Sequence, residues 1–170
     1  MKDILLLGLG NEILGDDAVG IIALRELQKT YEDRIDCIES AESGLRLLDY
    51  LIGYRKVLIL DSIIKEKEAP GVIEEIDIIN YEESYSPKSP HYIGLPYTLK
   101  IAKNLNMDLP DSLKVLALNV EDPYTLNQDL TPAVKNALPY YVAFASAIID
   151  NWLSANKNKN ENKSSTDDSE

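Results

Sequence analysis

Carboxylates and a single imidazole are the side chains in this sequence whose types and positions favour metal-dependent or acid–base chemistry. Asp16 and Asp17 follow the first apolar run, Asp61 directly ends the apolar run VLIL, and His91 is the only histidine. Two carboxylates with one imidazole suit a borderline divalent metal, but three such ligands fall short of a closed structural site. Water or a substrate would supply the missing ligands, so this set predicts an open site.

Catalysis by a nucleophilic serine or cysteine is a further interpretation of the sequence. A Ser-His-Asp arrangement that uses Ser62 or Ser89 is geometrically open, although the sequence contains no G-x-S-x-G elbow. Cys37 lies in the middle of a predicted strand between Asp36 and Ile38. No basic partner is near enough in the sequence to activate its thiol, so we expect a structural role for it.

A glycine turn, GLGN at residues 8–11, is similar to the start of the dinucleotide fingerprint G-x-G-x-x-G. Ile13 stands where the third glycine belongs, and the acidic pair Asp16 and Asp17 would repel a phosphate at the following helix N-terminus. Glu39, at the end of the second predicted strand, is placed like the ribose-binding acid of dinucleotide folds. A non-catalytic α/β module that binds a nucleotide or another small ligand is therefore the alternative function.

Alternating strand and helix patterns must position these residues. Continuous or alternating apolar patterns predict strands, with helical spacing between most of them, at residues 4–7, 34–39, 57–60, 71–78 and 115–120. The β-α-β-α-β order at the start implies parallel strands joined by right-handed crossovers, and the strand at 71–78 is less buried, as expected at an edge. The predicted fold is α/β, with three αβα layers around a mostly parallel, twisted sheet of about five strands.

The predicted sheet brings the acids to one place. Ligands of open α/β sheets bind beyond the carboxyl ends of the strands. Asp17 follows the first strand by one loop and Asp61 closes the third, so neighbouring strands would let both carboxylates face one crevice. His91 follows the long loop at residues 81–90, which contains three Ser and two Pro, and precedes a predicted helix.

Composition limits the partners and the compartment. The 170 residues include 17 Lys+Arg and 29 Asp+Glu, a net charge of −12. Because such a chain repels phosphate backbones and anionic lipids, we expect neither a nucleic-acid nor a membrane partner. The chain has one cysteine, no signal-peptide pattern and no long apolar stretch, which predicts a cytoplasmic protein, and we expect a monomer. Residues 1–153 form the predicted domain, and the polar residues 154–170 are expected to be a disordered tail.

Four segments carry a resemblance to a known family. GLGNEILGDDAVG, LDSIIKEKEAPG, SPHYIGL and ALNVEDPYTLNQDLTPAVKNALP, in this order, resemble the hydrogenase maturation proteases of [NiFe] hydrogenases from residue 1 to about residue 153. The resemblance implies that Asp17, Asp61 and His91 are the catalytic residues and contact nickel, with Asp16 as the alternative to Asp17. The family often has Gly where this chain has Ala18, and a Gly-Gly-Thr-like turn where it has SAESG at residues 40–44.

The resemblance also implies an activity. It predicts a nickel-dependent endopeptidase, of a family often classed as aspartyl proteases, that removes the C-terminal extension of a hydrogenase large-subunit precursor after nickel insertion. The nickel would be presented by the precursor and not held tightly by the enzyme at rest. Either Asp17 or Asp61 would take a proton during cleavage, and the backbone N–H groups of Gly10 and Asn11 would form an oxyanion site. A family member that binds the precursor without cutting it is a third possibility.

Overall fold

Five strands and four helices make up the described part of the protein. The computed structural model describes residues 3–78, 95–126 and 129–164. The strands are β1 (Ile4–Leu9), β2 (Asp36–Ser40), β3 (Lys56–Ile63), β4 (Ile73–Asp77) and β5 (Ser112–Asn119), and the helices are α1 (Val19–Tyr31), α2 (Leu48–Leu51), α3 (Leu95–Asn104) and α4 (Pro132–Ser164). Short 3-10 turns at Gly15–Ala18 and Gly44–Leu47 precede α1 and α2.

The strands form one sheet in the order β2-β1-β3-β5-β4. The first four of these run parallel, and β4 pairs antiparallel with β5 at the edge. This arrangement confirms the predicted α/β class, the mostly parallel sheet and the edge position of the strand at 71–78. The last strand begins at Ser112, three residues before its predicted start.

The core lies on both faces of the sheet because β1 and the VLIL run of β3 (residues 57–60) place aliphatic side chains on both faces. Side chains of β1 and β3 alternate between two buried clusters, one under α1 and α4 and the other under α2 and α3. Leu6, Leu58 and Leu60 belong to the first cluster, whereas Leu7 and Ile59 belong to the second. The result is the predicted three-layer αβα arrangement.

The chain changes direction between β1 and β3. From β1 it passes through α1 to β2 on one side, then returns through α2 to β3 on the other side of β1. Because α1 and α2 cover opposite faces of the sheet, the loops diverge where β1 and β3 end. Such a topological switch point forms the crevice in which open α/β sheets bind ligands.

A glycine lets α1 approach the ends of both central strands. A Cβ atom on Gly20 would lie 2.3 Å from the carbonyl oxygen of Leu9 and 2.4 Å from that of Leu60. Facing it in β1, a Cβ on Gly8 would lie 2.8 Å from the carbonyl oxygen of Gly20 itself. The absence of side chains at both positions therefore fixes the first turn of α1 against the switch point.

The C-terminal segment differs from its prediction. Composition predicted disorder from residue 154, whereas α4 continues to Ser164. An existing helix is extended without the cost of nucleation, so residues with adequate helix propensity continue it. Residues 165–170 lie outside the described residues, as do the long loop at 81–90 and His91. Within the described part of the chain, none of the helices has the length and apolar character that crossing a membrane requires.

We predict that Gly20→Ala destabilises the protein, although Gly→Ala inside a helix ordinarily stabilises it by about 0.5–1 kcal/mol. The added methyl group would overlap two carbonyl oxygens, and such overpacking costs about 1–3 kcal/mol. Urea unfolding measures the change in the free energy of unfolding, and Thr30→Ala, at an exposed position of α1, is the control that should not destabilise. Stability of Gly20→Ala equal to or above that of the wild type would contradict the close approach.

Candidate functional site

Ser62 connects the two carboxylates that the sequence analysis placed at the strand ends. Its hydroxyl donates to Asp17 Oδ1 at 2.9 Å, and its main-chain N–H donates to Asp61 Oδ1 at 2.8 Å. Asp61 is fully buried, and Asp17, in the 3-10 turn Gly15–Ala18, is 3% exposed. Asp17, which is 45 positions from Ser62 in the sequence, is therefore linked to Asp61 through one serine at the switch point.

The Asp61 side chain and the contact between Ser62 and Asp17 lie on opposite faces of β3. Ile59 and Ile63 belong to the cluster under α2 and α3, so alternation along β3 places Asp61 between them on that face. The Ser62 side chain lies on the opposite face and meets Asp17 there. Asp61 and the contact between Ser62 and Asp17 therefore lie on opposite faces of β3 at the switch point, and both carboxylates are buried there.

His91 lies outside the described residues, so the structure brings together two of the three proposed ligands. Helix α3, which begins at Leu95, packs on the same face as Asp61. Among the described residues, no group of three or more His, Cys, Asp or Glu side chains is arranged to hold a metal ion. The described part of the site thus contains two buried carboxylates, Asp17 and Asp61, that are linked through Ser62.

Tyr141 fixes the main chain on which Asp61 stands. Its hydroxyl, reaching in from α4, accepts the N–H of Asp61 at 2.9 Å and contacts the carbonyl oxygen of Leu116 at 2.5 Å. This hydroxyl therefore joins β3 to β5 where Asp61 lies. Complete burial raises the pKa of Tyr141 well above its ordinary value of 10, and the negative charge of Asp61 adds to that effect. The phenol consequently stays protonated and keeps its donor.

Asp16 has a different role from its neighbour. Its carboxylate accepts the N–H groups of Glu121 and Asp122, both at 3.2 Å, and the N–H and hydroxyl of Thr131 at 2.7 and 2.9 Å. Like Asp61, it is fully buried. Four protein donors thus surround Asp16, and its carboxylate ties the turn after β1 to the loop between β5 and α4.

The glycine turn at residues 8–11 allows the chain after β1 to lie close to the backbone of Asp17. Gly10 has φ +149°, and a Cβ atom there would lie 2.1 Å from the carbonyl oxygen of Asp17. The Gly10 N–H donates to the carbonyl oxygen of Ser40 at 3.2 Å. This bond corrects the expected oxyanion site at Gly10 and Asn11, because the Gly10 donor is already used between the ends of β1 and β2.

The acid on which the nucleotide alternative depends has an ionic partner. Arg25, in α1, donates through Nε and Nη2 to both carboxylate oxygens of Glu39 at 2.7 Å, and it also binds Glu12. Such a two-pronged pair matches the planar guanidinium to the carboxylate. A ribose at this position would have to compete with Arg25.

Two positioning residues were not identified from the sequence. Tyr141 follows the helical core spacing of Val134, Ala137 and Ala145, so its hydroxyl was hidden within an apolar pattern. Asn119 ends β5 and accepts the N–H of Lys65 at 2.8 Å, which holds the loop after β3. A polar atom at the end or in the middle of a buried pattern is the signal that would have indicated both.

Comparison with known proteins gives one answer. A model of the hydrogenase maturation protease family (HycI) matches residues 21–148, a range that includes Asp61 and begins after Asp17. The chain is 27% identical over 135 residues to the hydrogenase 2 maturation protease of Escherichia coli, covering 78% of this chain and 81% of that protein. It is 24% identical over 154 residues to the hydrogenase expression/formation protein HupD of Rhizobium leguminosarum, covering 88% and 75%.

Solved structures have the same fold. The hydrogenase maturating endopeptidase HybD from E. coli superposes with a TM-score of 0.73 at 24% identity, covering 89% of this chain and 93% of that one. The [NiFe] hydrogenase maturation protease HybD from Thermococcus kodakarensis superposes with a TM-score of 0.67 at 24% identity, covering 87% and 99%. With its family model matched over most of its length and its fold shared with these endopeptidases, the chain belongs to the hydrogenase maturation protease family.

Proposed function

We propose that this protein is an endopeptidase that removes the C-terminal extension of the large-subunit precursor of a [NiFe] hydrogenase after nickel insertion. The observation that carries the proposal is the link through Ser62, which joins Asp17 and Asp61 at the switch point. Family membership supports the activity, and the two buried carboxylates support its chemistry. The reaction takes place in the cytoplasm, and the protein acts as a monomer.

Nickel belongs to the substrate in this proposal. Asp17, Asp61 and His91 together form an O,O,N donor set that binds a divalent ion weakly compared with thiolates. Such a set completes the coordination of a nickel ion held by the cysteines of the precursor without removing it. A precursor without nickel offers no ion to these side chains, so the metal becomes the specificity check.

Cleavage requires a proton acceptor beside the scissile peptide bond. Water adds to the carbonyl carbon while one of the two aspartates takes its proton, and that proton is then delivered to the departing amine as the C–N bond breaks. Nickel near the scissile bond polarises the carbonyl or the water. The use of two aspartates gives the protein its aspartyl-type character.

We predict that purified protein shortens nickel-loaded precursor and leaves nickel-free precursor intact. Mass spectrometry of the precursor after incubation measures the product, and a chelator-treated, nickel-reloaded sample controls for damage during metal removal. Binding of the loaded precursor without any change in its mass would identify a protein that binds without cutting. Equal cleavage of both forms would remove nickel from the proposal.

Neighbouring aspartates provide a matched pair of variants. Asp17→Asn should reduce processing at least about a hundredfold, because either the proton acceptor or a ligand of the substrate's nickel is lost, while the amide oxygen of the new side chain can still accept the hydroxyl of Ser62. Asp16→Asn should lower the free energy of unfolding by about 1–3 kcal/mol, because an amide N–H₂ then faces buried N–H donors, while folded protein keeps its activity. Initial rates and urea unfolding of both variants measure these effects. Loss of activity only in folded Asp16→Asn would exchange the two roles.

The preference for nickel-loaded over empty precursor can be measured to test Asp61 and His91 as nickel ligands. We expect the wild type to bind loaded precursor at least about tenfold more tightly than empty precursor, a difference of about 1.4 kcal/mol. Asp61→Asn and His91→Ala should each bring this ratio close to one and leave binding of empty precursor unchanged. Calorimetric titration measures both affinities, and Glu39→Gln, at the acid of the nucleotide alternative, is the control that keeps the ratio. An unchanged ratio in both variants would exclude them as nickel ligands.

A further inference from the structure

Three large apolar side chains are exposed on the loops that follow β1 and β5, and we call them the apolar rim. Ile13 is 54% exposed, Tyr124 66% and Leu126 75%. Both loops leave the carboxyl edge of the sheet, where the site lies, because β1 and β5 run parallel to β3. Large apolar groups exposed together next to a site mark a surface that binds a partner.

The two loops of the apolar rim are held against each other. At the position of a Cβ on Gly15, the carbonyl oxygens of Asp122 and Thr125 lie 3.0 and 3.6 Å away. The N–H of Asp16 donates to the carbonyl oxygen of Asp122 at 3.3 Å, and its carboxylate receives two N–H groups from the same loop. The turn that carries Asp17 therefore lies directly beside the loop of Tyr124 and Leu126.

Local hydrogen bonds hold the backbone at two members of the apolar rim, Ile13 and Tyr124. Asp122 Oδ1 accepts the N–H groups of Tyr124 and Thr125 at 3.1 and 3.0 Å, and Asn11 Oδ1 accepts the N–H of Ile13 at 3.2 Å. These Asx turns fix the local chain direction at each loop. Because these bonds restrain the backbone at Ile13 and Tyr124, a partner that binds there orders less of the chain than it would on unrestrained loops.

Acidic side chains predominate around the apolar rim. Residues 115–134 contain three acids, Glu121, Asp122 and Asp129, and no Lys or Arg. In the loop after β1, Glu12 pairs with Arg25, which also neutralises part of the charge of Glu39. An acidic surface with apolar side chains is complementary to a segment that combines apolar residues with lysine or arginine. A second copy of this chain, with its net charge of −12, fits that description poorly.

We propose that the apolar rim docks a segment of the precursor polypeptide that carries apolar side chains together with lysine or arginine. This inference rests on the proposed function, since it assigns the substrate segment that lies beside the site. Docking there aligns the precursor before its metal reaches Asp17. The contribution is to affinity and not to the chemical step, so the apolar rim sets KM and leaves kcat unchanged.

The test uses a matched pair of leucines. Leu126→Ser should raise KM for nickel-loaded precursor about tenfold with kcat within twofold, since a few anchor residues carry most of the affinity of an interface and Leu126 is the most exposed side chain of the apolar rim. Leu105→Ser is the control, because Leu105 is 68% exposed and follows α3 at the opposite edge of the sheet, where β5 begins. Initial rates from product mass give both constants, and thermal unfolding verifies that each variant is folded.

A second arm tests charge. Glu121→Gln should raise KM and weaken its dependence on salt, whereas Asp33→Asn, which removes an exposed charge between α1 and β2, should change neither. Failure of the wild type to process precursor would overturn the proposed function. Normal processing with an unchanged KM in Leu126→Ser would overturn the docking surface alone. A dimer of the wild type that Leu126→Ser disperses would likewise overturn it and assign the apolar rim to self-association.

Discussion

The hydrogen bonds of Ser62 are the interaction on which the rest of the site depends. A buried carboxylate is costly unless donors or a cation compensate for lost hydration. Ser62 provides a donor to each acid, through its hydroxyl to Asp17 and through its N–H to Asp61. The bond to Asp61 lies within β3, whereas the bond to Asp17 requires the turn after β1 to lie close to the end of β3. Gly20 permits that approach, because any side chain there would meet the carbonyl groups of both strands.

Adjacent acids in one turn are used in different ways. Asp16 and Asp17 occupy consecutive positions of the turn Gly15–Ala18, so their side chains leave the backbone in different directions. Asp16 is surrounded by donors from residues 105–115 positions away, and it anchors the loop that carries Tyr124 and Leu126. Asp17 reaches β3. Asp16 thus fixes the loop that carries Tyr124 and Leu126. At the same time it fixes the position of Asp17, the aspartate proposed for chemistry.

Local patterns predicted the strands but not the long-range partners. The aliphatic runs of β1 and β3, their parallel order and the edge position of β4 follow from periodicity and right-handed crossovers, and the crevice follows from them. A polar atom in a buried pattern marks Tyr141 as a candidate, but it does not identify the strands that its hydroxyl joins. Thr131 precedes α4, and its position does not identify Asp16 as its partner. Composition also predicted disorder after residue 153, where α4 continues because it is already nucleated.

Docking at the apolar rim and recognition of the metal must contribute separately to affinity if the enzyme is to distinguish nickel-loaded from empty precursor. Contacts at the apolar rim involve the polypeptide alone, so they stabilise complexes with loaded and empty precursor equally and provide no discrimination. Strong docking would even let empty precursor occupy the enzyme as an inhibitor. A small surface of three exposed side chains beside the proposed nickel ligands avoids this outcome, because most of the difference in affinity is then left to the ion. The modest size of the apolar rim is therefore what the proposed specificity requires.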